Sequence, residues 1–245
     1  MSFISYITLR RIFFYHTVKP KEAFPHINYC ANSRKCFAEV GSTSVNCSVG
    51  SARPSIALTW VARTVEGDRN ITTDMSIISE GLGYTSRATT GDIFHDSSLL
   101  GLLVCKTSGL QGILQSNESV LLAQNKNISL LSTEKRSRYI ERYTKVNLDC
   151  TGGDIGFVVW KKVRYDHTYD KTEHETLVYS IFLGGEWTEV FANGFSLGTN
   201  ASLVVPVVDV GHEGLYYCIY GDGFTDALIV YDVTVKGMLG GVMVE

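Results

Sequence analysis

Two cysteines with a tryptophan between them occur twice in this chain, as Cys47, Trp60 and Cys105 and then as Cys150, Trp160 and Cys218. In both sets the tryptophan follows soon after the leading cysteine, and the closing cysteine comes several strand lengths later. A repeat of this kind means two units on one plan. At 245 residues the chain has room for two domains of about 100–120 residues. Apolar residues make up 44% and charged residues 19%, enough to build cores and outside the range of disordered chains.

The segments around the repeated residues read as strands. In the first unit these are Ser44–Cys47, Ile56–Val61, Ser98–Cys105 and Glu118–Gln124. In the second, residues 144–150 alternate polar and apolar, with Val146, Leu148 and Cys150 on one face. Phe157–Val163, Thr176–Leu183, Ala201–Val208, Gly214–Tyr220 and Ala227–Val235 follow, separated by glycine-containing turns. The chain has 23 glycines against 4 prolines, so glycine makes most of the turns. Short strands at regular spacing predict a sandwich or barrel. Residues 123–143 are polar and read as the exposed join between units, with Lys135, Arg136, Arg138 and Arg142 as a solvated basic cluster.

Three stretches carry a resemblance. His212-Glu213-Gly214-Leu215-Tyr216-Tyr217-Cys218 is similar to the D-x-G-x-Y-x-C signature of the immunoglobulin superfamily, with His212 in place of Asp. Tyr231–Val235 resembles that family's closing strand. Glu39-Val40-Gly41-Ser42, followed by Val45 and Cys47, resembles its approach to the first cysteine. The resemblance implies an all-β chain of two tandem immunoglobulin-like Greek-key β-sandwiches, the second one variable-type-like. It implies disulfides Cys47–Cys105 and Cys150–Cys218, core tryptophans Trp60 and Trp160, and a tyrosine corner at Tyr216. Leu103 stands where the first unit would carry its corner tyrosine.

The expected boundaries are 1–35 for an N-terminal segment (a degenerate or truncated leader plus a short cysteine loop), 36–125 and 126–237 for the two domains, and 238–245 for a tail. Cys30 and Cys36 are expected to close the local loop. A free pair, an intermolecular bridge and a link into the sandwich are the other possibilities.

Six cysteines without a CxxC pair, together with five N-x-S/T sequons among ten asparagines, point to the secretory pathway. Asn70, Asn127 and Asn200 rank as glycan sites above Asn117 and Asn46, the last being next to a core cysteine. No run of 18 apolar residues encodes a membrane span. A net charge of −3 gives no basic excess to draw nucleic acid.

No catalytic motif occurs, so no enzyme activity, cofactor or metal is expected, and the residues between His167 and His174 read as a polar loop. The resemblance then implies extracellular recognition of a protein ligand or receptor, a second copy of the chain included. A structural spacer in a larger cell-surface receptor is the alternative. The expected contact surfaces are the turns Thr151–Gly156 and Gly221–Asp226 and the sheet face near Tyr179, Tyr217 and Tyr220.

Overall fold

The computed structural model describes residues 17–41, 44–91, 93–94, 98–108, 114–126, 134–150, 155–166, 171–183 and 186–236. In the first half the strands are β1 (His26–Ile27), β2 (Lys35–Val40), β3 (Asn46–Ala52), β4 (Ala57–Thr64), β5 (Gly67–Asn70), β6 (Thr73–Glu80), β7 (Gly83–Thr90), β8 (Leu100–Ser108) and β9 (Glu118–Asn125). They form a four-stranded sheet in the order β1-β3-β7-β6 and a five-stranded sheet in the order β2-β9-β8-β4-β5. The chain crosses between sheets from β3 to β4 and back again from β5 to β6, which is Greek-key wiring.

Alternation decides what lies between these sheets. Cys47 and Val49 on β3 and Ala88 on β7 face Leu58 and Trp60 on β4, Leu103 and Cys105 on β8, and Leu121 and Ala123 on β9. The Cys47–Cys105 bridge crosses the layer with its Cα atoms 6.5 Å apart, and the Trp60 indole N–H donates to the Ala88 carbonyl at 3.1 Å. Leu103 is buried in this core. A tyrosine there would have brought a hydroxyl in need of a partner.

The second half follows with β10 (Glu134–Glu141), β11 (Val146–Leu148), β12 (Phe157–Asp166), β13 (Lys171–Ile181), β14 (Trp187–Val190), β15 (Ser196–Leu197), β16 (Leu203–Val205), β17 (Gly214–Gly221) and β18 (Asp226–Lys236). Its sheets are β11-β16-β15 and the six-stranded β10-β18-β17-β12-β13-β14. Two extra strands, β13 and β14, beside the β17–β12 pair are the variable-type layout. Cys150–Cys218 spans this core with a Cα separation of 6.0 Å, and the Trp160 indole N–H donates to the Ala201 carbonyl at 2.8 Å. The Tyr216 hydroxyl reaches back to the His212 carbonyl at 2.7 Å, closing the corner. His212 turns its ring Nδ1 to the Asp209 carboxylate at 2.8 Å.

Four sequence expectations are corrected. The first sandwich does not begin at residue 36: β1 pairs with β3, Val18 bridges to Arg53, and Ile27 and Cys30 are buried in the core. Cys30 is bridged to Cys36, so the local loop forms, but as part of that core. The join at 123–143 is shorter than expected, because β9 runs to Asn125 and β10 starts at Glu134. Strand β10 lies parallel to β18, where Lys135 pairs with Asp232 at 2.9 Å and the Arg136 guanidinium donates to the Tyr231 hydroxyl at 3.0 Å. The basic cluster is therefore largely strand, not loop. Likewise Lys171–His174 belong to β13, which extends the hairpin with β12; residues 167–170 lie outside the described residues.

Candidate functional site

The two large sheets pack against each other. On β12, Val158 and Trp160 point into the second core, which leaves Phe157, Val159 and Lys161 on the outer face. In a lone sandwich that face would be wet. Here Phe157, Val159, Tyr179, Ile181 and Ile219 are buried against Val61, Leu100, Leu102, Val104, Val120 and Leu122 of the first half. Phe37, Leu99, Leu183, Trp187 and Leu228 line the margin.

Polar groups fix the register of this contact. The Lys161 ammonium, 1% exposed, forms an ion pair with the Glu39 carboxylate of β2 and sits 6.0 Å from the Phe37 ring centre. Burial lowers the Lys161 pKa, and the Glu39 carboxylate opposes that shift. The Asp226 carboxylate, at the start of β18, accepts the backbone N–H groups of Leu99 and Leu100 at 2.8 and 3.2 Å. Burial raises its pKa, against the two N–H bonds that favour the charged form.

The ion pair makes a prediction. Glu39→Gln leaves a buried ammonium without its counter-charge and is expected to cost about 1–3 kcal/mol, the low side of the usual range because Glu39 itself reaches solvent. Lys161→Met in the Glu39→Gln background should recover most of that loss. Urea unfolding midpoints of the single and double variants check both statements.

The structure places each expected contact residue. Tyr179 is fully buried: its ring lies 5.4 Å from Phe37, 5.0 Å from Trp187 and 5.5 Å from Phe191, and its hydroxyl donates to Glu189 at 2.7 Å. Burial drives its pKa upward. Tyr220 faces the second core. Tyr217 lies on the outer face, partly exposed, its ring edge-on to His174 at 5.5 Å. Tyr179 is therefore corrected as a contact residue, because the other sandwich covers it, while Tyr220 is half-buried on the second core.

The turn Gly221–Asp226 is also occupied. The Asp222 carbonyl accepts the Val65 N–H at 3.0 Å, while the Asp222 carboxylate caps the N–H groups of Phe224 and Thr225. Gly223, at φ +95°, lies so close that a Cβ there would come within 2.8 Å of the Thr64 Cα. Arg69 stacks over Phe224 at 5.5 Å. Of the other turn, residues 151–154 lie outside the described residues, and the Gly156 N–H donates to the Gly221 carbonyl at 2.8 Å.

Asn70, Asn117 and Asn200 are exposed, and Asn127 lies outside the described residues. Asn46 is half-buried, its side-chain oxygen accepting the Thr89 hydroxyl at 2.6 Å. Among the described residues no group of three or more His, Cys, Asp or Glu gathers to hold a metal, and no helix is long and apolar enough to cross a membrane.

The sequence carries a signal for the paired faces. Phe157-Val158-Val159-Trp160 and Leu102-Leu103-Val104-Cys105 are apolar without alternation, the mark of strands buried on both sides. A sandwich with one wet face would have alternated.

No family model matches the chain, and no curated protein matches it. Among solved structures, it is similar to the extracellular domain of the voltage-gated sodium channel β4 subunit at 15% identity, over 48% of this chain and 99% of that one, with a TM-score of 0.33. Tim-1 aligns at 17% identity over 44% of this chain and 98% of its own, with a TM-score of 0.35. The mouse nectin-like molecule 4 ectodomain aligns at 12% identity over 92% of this chain and 68% of that one, with a TM-score of 0.31. These overlaps are shallow, and the assignment rests on the chain's own sheet orders, bridges, tryptophans and corner. On those features, the chain carries the all-β sandwich fold of the immunoglobulin superfamily.

Proposed function

We propose that this chain is an extracellular recognition protein of two immunoglobulin-like domains that binds another protein through its strand edges and outer loops. Three disulfides suit an oxidising compartment. The exposed sequons at Asn70, Asn117 and Asn200 suit passage through the secretory pathway. The observation that carries the binding mode is the burial of both large sheet faces against each other. A partner must therefore meet what that contact leaves open.

The rim beside β14 is the favoured contact. Val190 and Phe191 are exposed next to the buried Tyr179 cluster, with the Phe191 ring against Tyr179. A large aromatic held in place on one side and open on the other gives contact area at low entropic cost. The partner chemistry is a protein surface with an apolar pocket.

The test is binding of the multimerised, secreted chain to a panel of cell-surface and secreted proteins, alongside Phe191→Ser and Val190→Ser variants. A partner whose binding falls at least tenfold in either variant supports the reading. Binding that no rim variant alters would instead fit a spacer in a larger assembly.

A further inference from the structure

Among the described residues strand β6 closes one edge of the first sandwich, and β7 is its one strand partner. Seven of its eight residues are exposed, and Met75, Ile77 and Ile78 among them are large and apolar. Soluble proteins usually blunt such an edge with lysine, proline, a bulge or a covering segment. The β6 sequence, Thr-Asp-Met-Ser-Ile-Ile-Ser-Glu, has no proline and no basic residue, and it pairs with β7 without a register shift.

The register shows why these side chains are uncovered. Met75 stands opposite Ala88 and Ile77 opposite Ser86, so both lie on the face whose β7 residues are buried in the core. The facing sheet ends at β5, four residues long and fully exposed, which leaves Met75 and Ile77 at an open lip. The backbone points the same way. The Gly91 N–H donates to the Thr72 carbonyl at 2.8 Å, making Thr72–Gly91 a hydrogen-bonded pair. Antiparallel alternation then turns the N–H and C=O groups of residues 74, 76, 78 and 80 towards β7 and those of 73, 75, 77 and 79 outwards.

We propose that β6 pairs antiparallel with β6 of a second copy of this chain, about a twofold axis through Ser76, joining two four-stranded sheets into one of eight. A twofold axis normal to the sheet keeps each face on its own side, so the centre must fall on a residue. Centring on Ser76 sets Met75 opposite Ile77 of the second copy, twice, at hydrogen-bonded positions. It also sets Asp74 opposite Ile78 and Thr73 opposite Ser79, so no carboxylate faces another. Centring on Ile77 would set Asp74 opposite Glu80 twice, an unfavourable like-charge pairing. The strand has an apolar middle and acidic ends with no cation, and this register staggers those ends apart. A second copy therefore complements it without any foreign residue. The dimer does not rest on the recognition reading and can fail or hold independently of it.

The test uses the disulfide-intact chain secreted from eukaryotic cells. Sedimentation velocity over a concentration series should show a reversible dimer, and Ile77→Lys should return it to monomer with the melting midpoint of the parent chain diluted to monomer. In the Ser76 register the two Ser76 residues form a non-hydrogen-bonded pair with Cα atoms about 4.5 Å apart, inside the range a disulfide spans. Ser76→Cys should therefore give a covalent dimer on mild oxidation, whereas Ile77→Cys should not. A chain that stays monomeric at every concentration, or one cross-linked through Ile77→Cys and not Ser76→Cys, overturns the proposal.

Discussion

Leu102→Asp is expected to force the two sandwiches apart without unfolding either. Leu102 is buried on the outer face of β8, among Val61, Val104 and Leu122 and against the second half's Phe157, Val159 and Ile219. A carboxylate at that point would lose its water among these apolar side chains. The expected cost of keeping the faces closed is at least about 3 kcal/mol, so the faces should part and hydrate. Both core disulfides lie on the far sides of their sheets and should still form. Small-angle scattering should show a larger radius of gyration, and thermal unfolding should broaden or divide into two transitions. Val207→Asp, at an exposed position, is the matched control and should change stability by no more than about 0.5 kcal/mol.

The second large effect concerns the bridges. Removing Cys150–Cys218 as a double alanine variant opens a loop of 68 residues, and chain entropy alone sets the expected loss near 4 kcal/mol. That approaches the whole stability of a small domain. Cys47–Cys105, with a separation of 58, should cost about as much. Cys30–Cys36 closes only 6 residues, so its removal should cost about 2 kcal/mol. Urea unfolding of the three double variants gives the ranking. A loss for the short bridge equal to those of the long ones would mean that burial of Cys30 in the core, not loop closure, dominates there.

The ease of reading each element from sequence followed how strongly its residues are constrained. Cys47, Trp60, Cys105, Cys150, Trp160 and Cys218 must meet at fixed spacing in each layer, and Tyr216 must lie two residues before its cysteine, so the pattern shows through. Strands β5, β6 and β7 left no such trace. On β7 the inward positions are Ser86, Ala88 and Thr90, small residues set against Trp60 and the bridge. The Ser86 hydroxyl accepts the Ile56 N–H and the Thr90 hydroxyl accepts the Val45 N–H, so polar side chains sit in a core without cost. Hydropathy alternation is erased where the core is made of such residues.

The N-terminal boundary failed for a related reason. Strand β1 is two residues long, too short for any period, and Ile27 and the nearby Cys30 are its buried links to the core. The contact surface failed differently. The sequence places Tyr179 in a strand of the second unit, but its position there does not by itself say what covers it. The unbroken apolar runs on β8 and β12 held that information, since a second buried face is what removes the alternation.

The face-to-face packing of the two sandwiches is the claim on which the surface assignments depend. Hydroxyl-radical footprinting of the native, secreted chain tests it most directly, by comparing residues of one chemical type. Tyr179 should be as protected as the corner residue Tyr216, and Leu122 and Ile181 as protected as Leu121 inside the first core. Tyr139, 70% exposed, sets the rate for an open tyrosine. Oxidation of Tyr179 at the rate of Tyr139, with Tyr216 still protected, would show the second sandwich folded with its face open and would contradict the account.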